Sequence, residues 1–205
     1  MNVEILLGFI SAVALLAISP GPDNIFVLMQ SVVHGKKYGL ATVAGLMTGC
    51  IVHTTLVAFG VSVIIKENES LFLAIKIAGA AYLLFLAYKV LRSSGHIAMD
   101  GNAVQKKSSA QLFRVGFLMN VLNPKVTIFF LALFPGFLFS DSLSEVIQFY
   151  VLGGLFILTS FIIFSSIALL GGSISEQIQQ NKNIGIWLKW LQVLVFVGIA
   201  VFMLL

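Results

Sequence analysis

Pro20-Gly21-Pro22-Asp23-Asn24 sits inside a stretch that is otherwise apolar from about residue 4 to residue 33. A continuous helix through it would lose backbone donors to the prolines, and Gly21 adds conformational freedom, so the helix is expected to stop there and restart. Asn123-Pro124-Lys125 interrupts a second apolar stretch, over residues 112–139, in the same way. Non-helical backbone at membrane depth is tolerated only where protein covers it or where it lines a cavity. Two such breaks, one in each half of a chain, are the pattern of an inverted-repeat transporter whose solute site lies between them.

The rest of the chain fits a membrane setting. Its 205 residues are 59% hydrophobic and 10% charged, with a mean hydropathy of +1.05, which excludes an ordinary soluble domain. Apolar segments at about 4–33, 39–65, 71–91, 112–139, 143–171 and 185–205 each reach the ~20 residues that a spanning helix needs. The expected fold is an all-α polytopic membrane protein with one transmembrane domain, residues 1–205. Six transmembrane helices form two inverted three-helix repeats, about 1–92 and 112–205, with helices one and four broken by proline near mid-membrane. The polar segment 93–111 links the halves. A five-span version with a re-entrant first segment is the alternative. The start Met1-Asn2-Val3-Glu4 lacks a basic n-region, so the first segment reads as a retained span rather than a cleaved signal. Cys50 is the only cysteine, so no intrachain disulfide forms.

The net charge of +4 reports topology rather than an anionic partner. Lys36, Lys37, Lys89, Arg92, Lys106, Lys107, Arg114, Lys182 and Lys189 fall on one side, and only Lys66 and Lys76 on the other, nine against two. The 93–111 linker is therefore expected in the cytoplasm and both termini outside. The partner implied is the lipid bilayer, and nucleic acid is not. Trp187, Trp190 and Tyr38 are placed as interfacial anchors. Ala41, Gly45 and Gly49 make a small-residue stripe that fits packing within the chain or contact between copies in a homo-oligomer.

Asp23 and Lys125 are the charged residues nearest the centre of any span. At mid-bilayer each costs roughly 2.5–3.5 kcal/mol on an insertion scale, so both should face inward. They either bind a charged solute and a coupling ion or form a structural ion pair. Gly21 and Asn123 occupy N-cap positions with Pro22 and Pro124 at the first turn of each restarted helix. Each break thus presents a helix N-terminus, which favours a carboxylate. Lys125 adds to that field, while Asp23 can accept an ammonium group or a proton. A site with both signs suits a zwitterion. The substrate-binding candidates are Asp23, Asn24, Asn120, Asn123 and Lys125, and the breaks themselves are made by Pro20, Gly21, Pro22 and Pro124. His53 and Gln30 are candidates to support that site or to carry protons, with plain packing as the alternative. No Cys, His or carboxylate cluster has metal-ligand spacing, and no nucleophile-base set or phosphate loop appears, so neither metal, cofactor nor enzyme activity is expected.

Four ordered stretches, Ser19-Pro-Gly-Pro-Asp-Asn24, Ala44-Gly-Leu-Met-Thr-Gly49, Lys76-Ile-Ala-Gly-Ala-Ala-Tyr-Leu83 and Asn120-Val-Leu-Asn-Pro-Lys125, together resemble the LysE/RhtB family of bacterial amino-acid exporters. The resemblance covers all six segments. It implies a multi-pass protein of the bacterial cytoplasmic (inner) membrane that expels amino acids or derivatives such as lysine, arginine, homoserine, threonine or leucine, with protons as coupling ion through the proton motive force. Some members carry an acidic residue in the fifth span where this chain has Thr159-Ser160. A channel-like pore for small polar solutes is the rival class.

Overall fold

The computed structural model describes residues 2–61, 63, 68–93 and 107–204. Lys66, Glu67, Lys106 and most of the 93–111 linker lie outside the described residues. Among the described residues nine α-helices follow in order: α1 (Val3–Ile18), α2 (Pro22–His34), α3 (Lys36–Leu56), α4 (Glu69–Leu91), α5 (Ser109–Val121), α6 (Pro124–Ile128), α7 (Glu145–Leu169), α8 (Gly171–Gln180) and α9 (Lys182–Leu204). A π-helical turn extends α3 over Val57–Val61, and a π turn and a 3-10 turn carry α6 on to Phe137.

Four of these helices, Lys36–Val61, Glu69–Leu91, Glu145–Leu169 and Asn183–Leu204, are long and apolar enough to cross a membrane singly. Two pairs pass the same test together, α1 with α2 and α5 with the helix from Pro124 to Phe137, bent by 60° and 49° respectively. The chain is a multi-pass membrane protein, helical throughout its regular structure among the described residues, with four candidate spans there, or up to six where each bent pair counts as one.

Local chemistry explains where the helices stop. α2 restarts with proline in its first turn, where the missing N–H has no intrahelical partner to lose, and extended Gly21 precedes it at φ −143°. The Asn24 amide reaches back across the break and donates to the Ala17 carbonyl at 2.7 Å, filling an acceptor at the end of α1. Asn123 caps α6 with its own side chain, which accepts from the Lys125 N–H at 3.0 Å. α5 begins with a reciprocal capping box, Ser108 accepting from the Gln111 N–H and Gln111 accepting from the Ser108 N–H. Between α2 and α3 the chain reverses on Gly35 alone, whose φ of 103° is a conformation that glycine adopts without strain.

α3 and α5 pack backbone against backbone. A Cβ on Gly45 would strike the Phe113 carbonyl, and one on Gly116 would strike the Thr42 carbonyl. Gly49 sits against the Asn120 side chain. The Gly45 and Gly49 part of the stripe is thus consumed by packing within the chain. The main core cluster is aromatic: Phe130 stacks on Phe134 at 4.2 Å, Phe9 meets Phe134 edge-on at 5.1 Å, and Phe156 packs on Phe130 at 4.8 Å. Beyond it the Gln148 side chain ties down the 138–143 loop. It accepts from the Phe139 and Ser140 N–H groups and donates to the Ser140 and Leu143 carbonyls.

Candidate functional site

The two breaks meet. Asn123 Nδ2 donates to Asp23 Oδ2 at 2.8 Å, across 100 residues of sequence. One asparagine therefore caps its own helix with its oxygen and holds the carboxylate of the opposite break with its nitrogen. The Lys125 ammonium stands 4.9 Å from the centroid of the buried Phe196 ring, a cation–π contact. It also lies beside the start of α2, since a Cβ on Gly21 would come within 3.9 Å of Lys125 Nζ.

A cavity of about 330 Å³ opens at this junction, lined by Gly21, Pro22, Asp23, Asn24, Asn120, Asn123, Pro124 and Lys125. That volume is at the lower end of the ~300–1,000 Å³ typical of small-molecule sites. All five expected substrate-binding residues, Asp23, Asn24, Asn120, Asn123 and Lys125, border it. Besides Asn123 and Asp23, two more of them are already committed in part. Asn24 spends its amide nitrogen on Ala17, and the Asn120 nitrogen points at the Cys50 sulfur at 3.4 Å. The Asn120 oxygen is buried without a partner.

The supporting groups sit elsewhere. His53 is buried behind the site, with Nε2 3.1 Å from the Asn120 carbonyl oxygen and its ring 5.4 Å from Phe130. It touches the backbone of a cavity residue without bordering the cavity. Gln30 is buried in α2 away from the lining, its side-chain oxygen unpartnered. Pro20 borders a separate apolar groove with Ile25, Leu28 and Ile163.

Several lining residues escape a reading of motifs alone. Tyr82, Leu86, Lys89 and Val90 of α4, Phe156, Ser160 and Phe164 of α7, and Gln192 and Phe196 of α9 complete the wall. Lys89 carries weight in the charge count of topology, yet here it borders the cavity near the last turn of α4. Beside it Lys189 of α9 donates to the Ser93 carbonyl at 2.7 Å, tying the start of α9 to the end of α4. The arrangement offers an anion receptor and a cation receptor within one small chamber. Among the described residues no group of three or more His, Cys, Asp or Glu side chains could hold a metal ion.

Comparison with known proteins identifies the family. The family model described as "LysE type translocator" matches residues 14–205. The homoserine/homoserine lactone efflux protein of Salmonella typhimurium (strain LT2) is 31% identical over 183 residues, 89% of this chain and 88% of the relative. The protein of the same description in Salmonella typhi is 32% identical over the same shares. An uncharacterized membrane protein of Bacillus subtilis (strain 168), YrhP, is 33% identical over 141 residues, 65% of this chain and 67% of the relative. No solved structure matches. The chain belongs to the LysE type translocator family, a family of transporters and not of enzymes.

Proposed function

We propose that this protein is a secondary transporter that exports amino acids or close derivatives from the cytoplasm across the bacterial inner membrane, driven by the proton motive force. The observation that carries the reading is the chamber between the breaks, where Asp23 and Lys125 present opposite charges beside two restarted helices. A zwitterion uses all of it: its carboxylate goes to Lys125 and the helix N-termini, its ammonium group to Asp23. The relatives described as homoserine/homoserine lactone efflux proteins point to the same substrate class.

Helix packing supports the inverted repeat. Exchange of the halves maps α1/α2 on α5/α6, α3 on α7 and α4 on α9. Under that exchange the α3–α5 contact becomes the α7–α1 contact, and the α3–α7 and α4–α9 contacts map on themselves, and all four exist. The cavity runs toward Lys89 and Val90 at the end of α4 that precedes the basic linker. On the far side the Phe130, Phe134 and Phe156 rings and the Gln148-tethered loop fill the core. By the positive-inside rule this is a conformation open to the cytoplasm, with both termini outside. A path closed at one end favours a carrier over the channel-like rival, and saturable counterflow in vesicles separates the two.

The deciding experiment loads reconstituted vesicles with a panel of amino acids and imposes a pH gradient. Uphill, saturable export is expected from the wild type. Lys125→Glu, which puts a negative group where the carboxylate binds, should abolish export, and Lys125→Gln should leave a remnant. If Asp23 carries the coupling proton, Asp23→Asn should keep exchange and lose uphill export; if Asp23 holds the ammonium group, exchange itself should weaken. Wild-type rates from well-inserted variants at both positions would place the site elsewhere.

A further inference from the structure

The charge balance and wall chemistry of the chamber narrow the substrate, on the reading that the protein exports amino acids. Among the described residues, three that line the chamber are formally charged: Asp23, Lys89 and Lys125. Lys89 is exposed, with its ammonium over the Phe85 ring at 5.4 Å, and Phe85 does not border the chamber, so the charges that meet at the breaks are one cation, Lys125, and one anion, Asp23. That single carboxylate is already engaged by Asn123 at 2.8 Å, which leaves one carboxylate oxygen to receive an ammonium group. A zwitterion with a neutral side chain matches this balance, because its carboxylate pairs with Lys125 and its ammonium group uses the remaining Asp23 oxygen. A lysine or arginine substrate brings a second positive charge that no further lining acid receives among the described residues, in a membrane-buried chamber where an unpaired charge is strongly disfavoured. Around the charged end the walls are Leu46, Met47, Phe156, Phe164 and Phe196, with Ser160 placed among them on α7. Ser160 is 2% exposed, one turn from both Phe156 and Phe164, so it shares their helix face.

We infer that the chamber selects neutral amino acids with apolar side chains and a free carboxylate, and rejects cationic ones, and that Ser160 is a position that sets this preference. A carboxylate at 160 would supply the missing counter-charge within the apolar wall. Selectivity then follows from the apolar remainder of the wall rather than from the two breaks, which handle only the groups common to all amino acids.

The test is counterflow of radiolabelled leucine in proteoliposomes, competed by unlabelled leucine, methionine, threonine, homoserine, lysine, arginine and leucine methyl ester. Leucine and methionine are expected to compete at concentrations at least tenfold below lysine and arginine, and below threonine and homoserine. The methyl ester, which lacks the carboxylate, should compete poorly. Ser160→Asp should raise the preference for lysine over leucine at least tenfold, and Ser160→Asn, similar in shape and uncharged, should not. Wild-type transport of lysine as good as that of leucine overturns the charge argument, and homoserine or threonine ahead of leucine overturns the apolar wall. A well-folded Ser160→Asp with unchanged preference overturns the role of that position. Should Ser160→Asp fail to fold, the wild-type panel still decides the selectivity. Transport of none of these amino acids by well-folded protein overturns the exporter reading itself, and this inference with it.

Discussion

Asn123 is the residue whose replacement tells most, because two separate interactions end on one side chain. Its oxygen caps α6 through the Lys125 N–H and its nitrogen holds the Asp23 carboxylate. Loss of a side-chain N-cap costs about 1 kcal/mol. A hydrogen bond to a charged group contributes about 1.5–3 kcal/mol in water-soluble proteins. In membrane bundles the unfolded reference finds partners of its own and interhelical bonds average only about 0.6 kcal/mol, so the low end, about 1.5 kcal/mol, is the expected value here. Ser can cap but is too short to bridge. Asn123→Ser should therefore destabilise by about 1.5 kcal/mol and Asn123→Ala by about 2.5 kcal/mol, the sum of both losses. The assay is reversible unfolding in mixed micelles, run as a double-mutant cycle of Asn123→Ser with Asp23→Ala. Lys125 is present in all four proteins, so its field cancels and the coupling reports the bridge, expected at about 1.5 kcal/mol, roughly tenfold in the folding equilibrium. A coupling below about 0.5 kcal/mol, or Asn123→Ser as stable as wild type, would refute the claim that this contact joins the breaks.

Close backbone approach makes a second prediction: Gly45→Leu should cost at or beyond the upper end of the ~1–3 kcal/mol seen for overpacking, because the Phe113 carbonyl and Phe117 N–H belong to rigid backbone. Gly154→Ala, with nothing near its Cβ, should instead stabilise by about 0.5–1 kcal/mol; thermal unfolding in detergent reads both. For orientation, in a Cys50→Ala background a thiol at Ser108 should resist an impermeant reagent in whole cells while one at Asn2 reacts, and the reverse pattern would invert the proposed direction of substrate entry.

Much of the site is legible because proline and asparagine act locally. Pro22 and Pro124 can start helices but cannot sit inside them, and Asn123 before Pro124 reads directly as a cap. The charge cost of Asp23 and Lys125 in an apolar span forces both inward, and both border the chamber. The far wall is a different matter. α4 and α9 are apolar all round, so helical periodicity cannot separate the face of Leu86 or Phe196 that borders the chamber from a face toward lipid. Lys89 and Gln192 carry no motif, and only the packing of α4 against α9 brings them to the cavity. His53 shows the opposite limit. Its type marks a proton carrier, yet its Nε2 is turned to the Asn120 carbonyl, one step behind the lining. Gln148 reads as an ordinary polar residue, and its four bonds to the 138–143 loop depend on where that loop returns.

The placement of opposite charges on opposite halves has a mechanical consequence. Asp23 belongs to the first half of the chain and Asn123 and Lys125 to the second, so the chamber is built across a seam rather than within one bundle. A solute can drive a conformational change only as far as its affinity differs between the two states. Had both receptors stood on one half, movement of the halves would leave the distance between them unchanged, and binding would gain nothing from it. With Asp23 on one side and Lys125 on the other, a zwitterion bound as proposed would span the seam, and its contacts would strengthen or weaken with any shift of one half against the other. The Asn123–Asp23 bond makes the same connection in the empty protein. On the proposed reading, an incoming ammonium group would take the other oxygen of the carboxylate that Asn123 holds, so substrate would meet the bond that joins the breaks on one group. Substrate binding and the freedom of the halves to move would then be linked through one carboxylate.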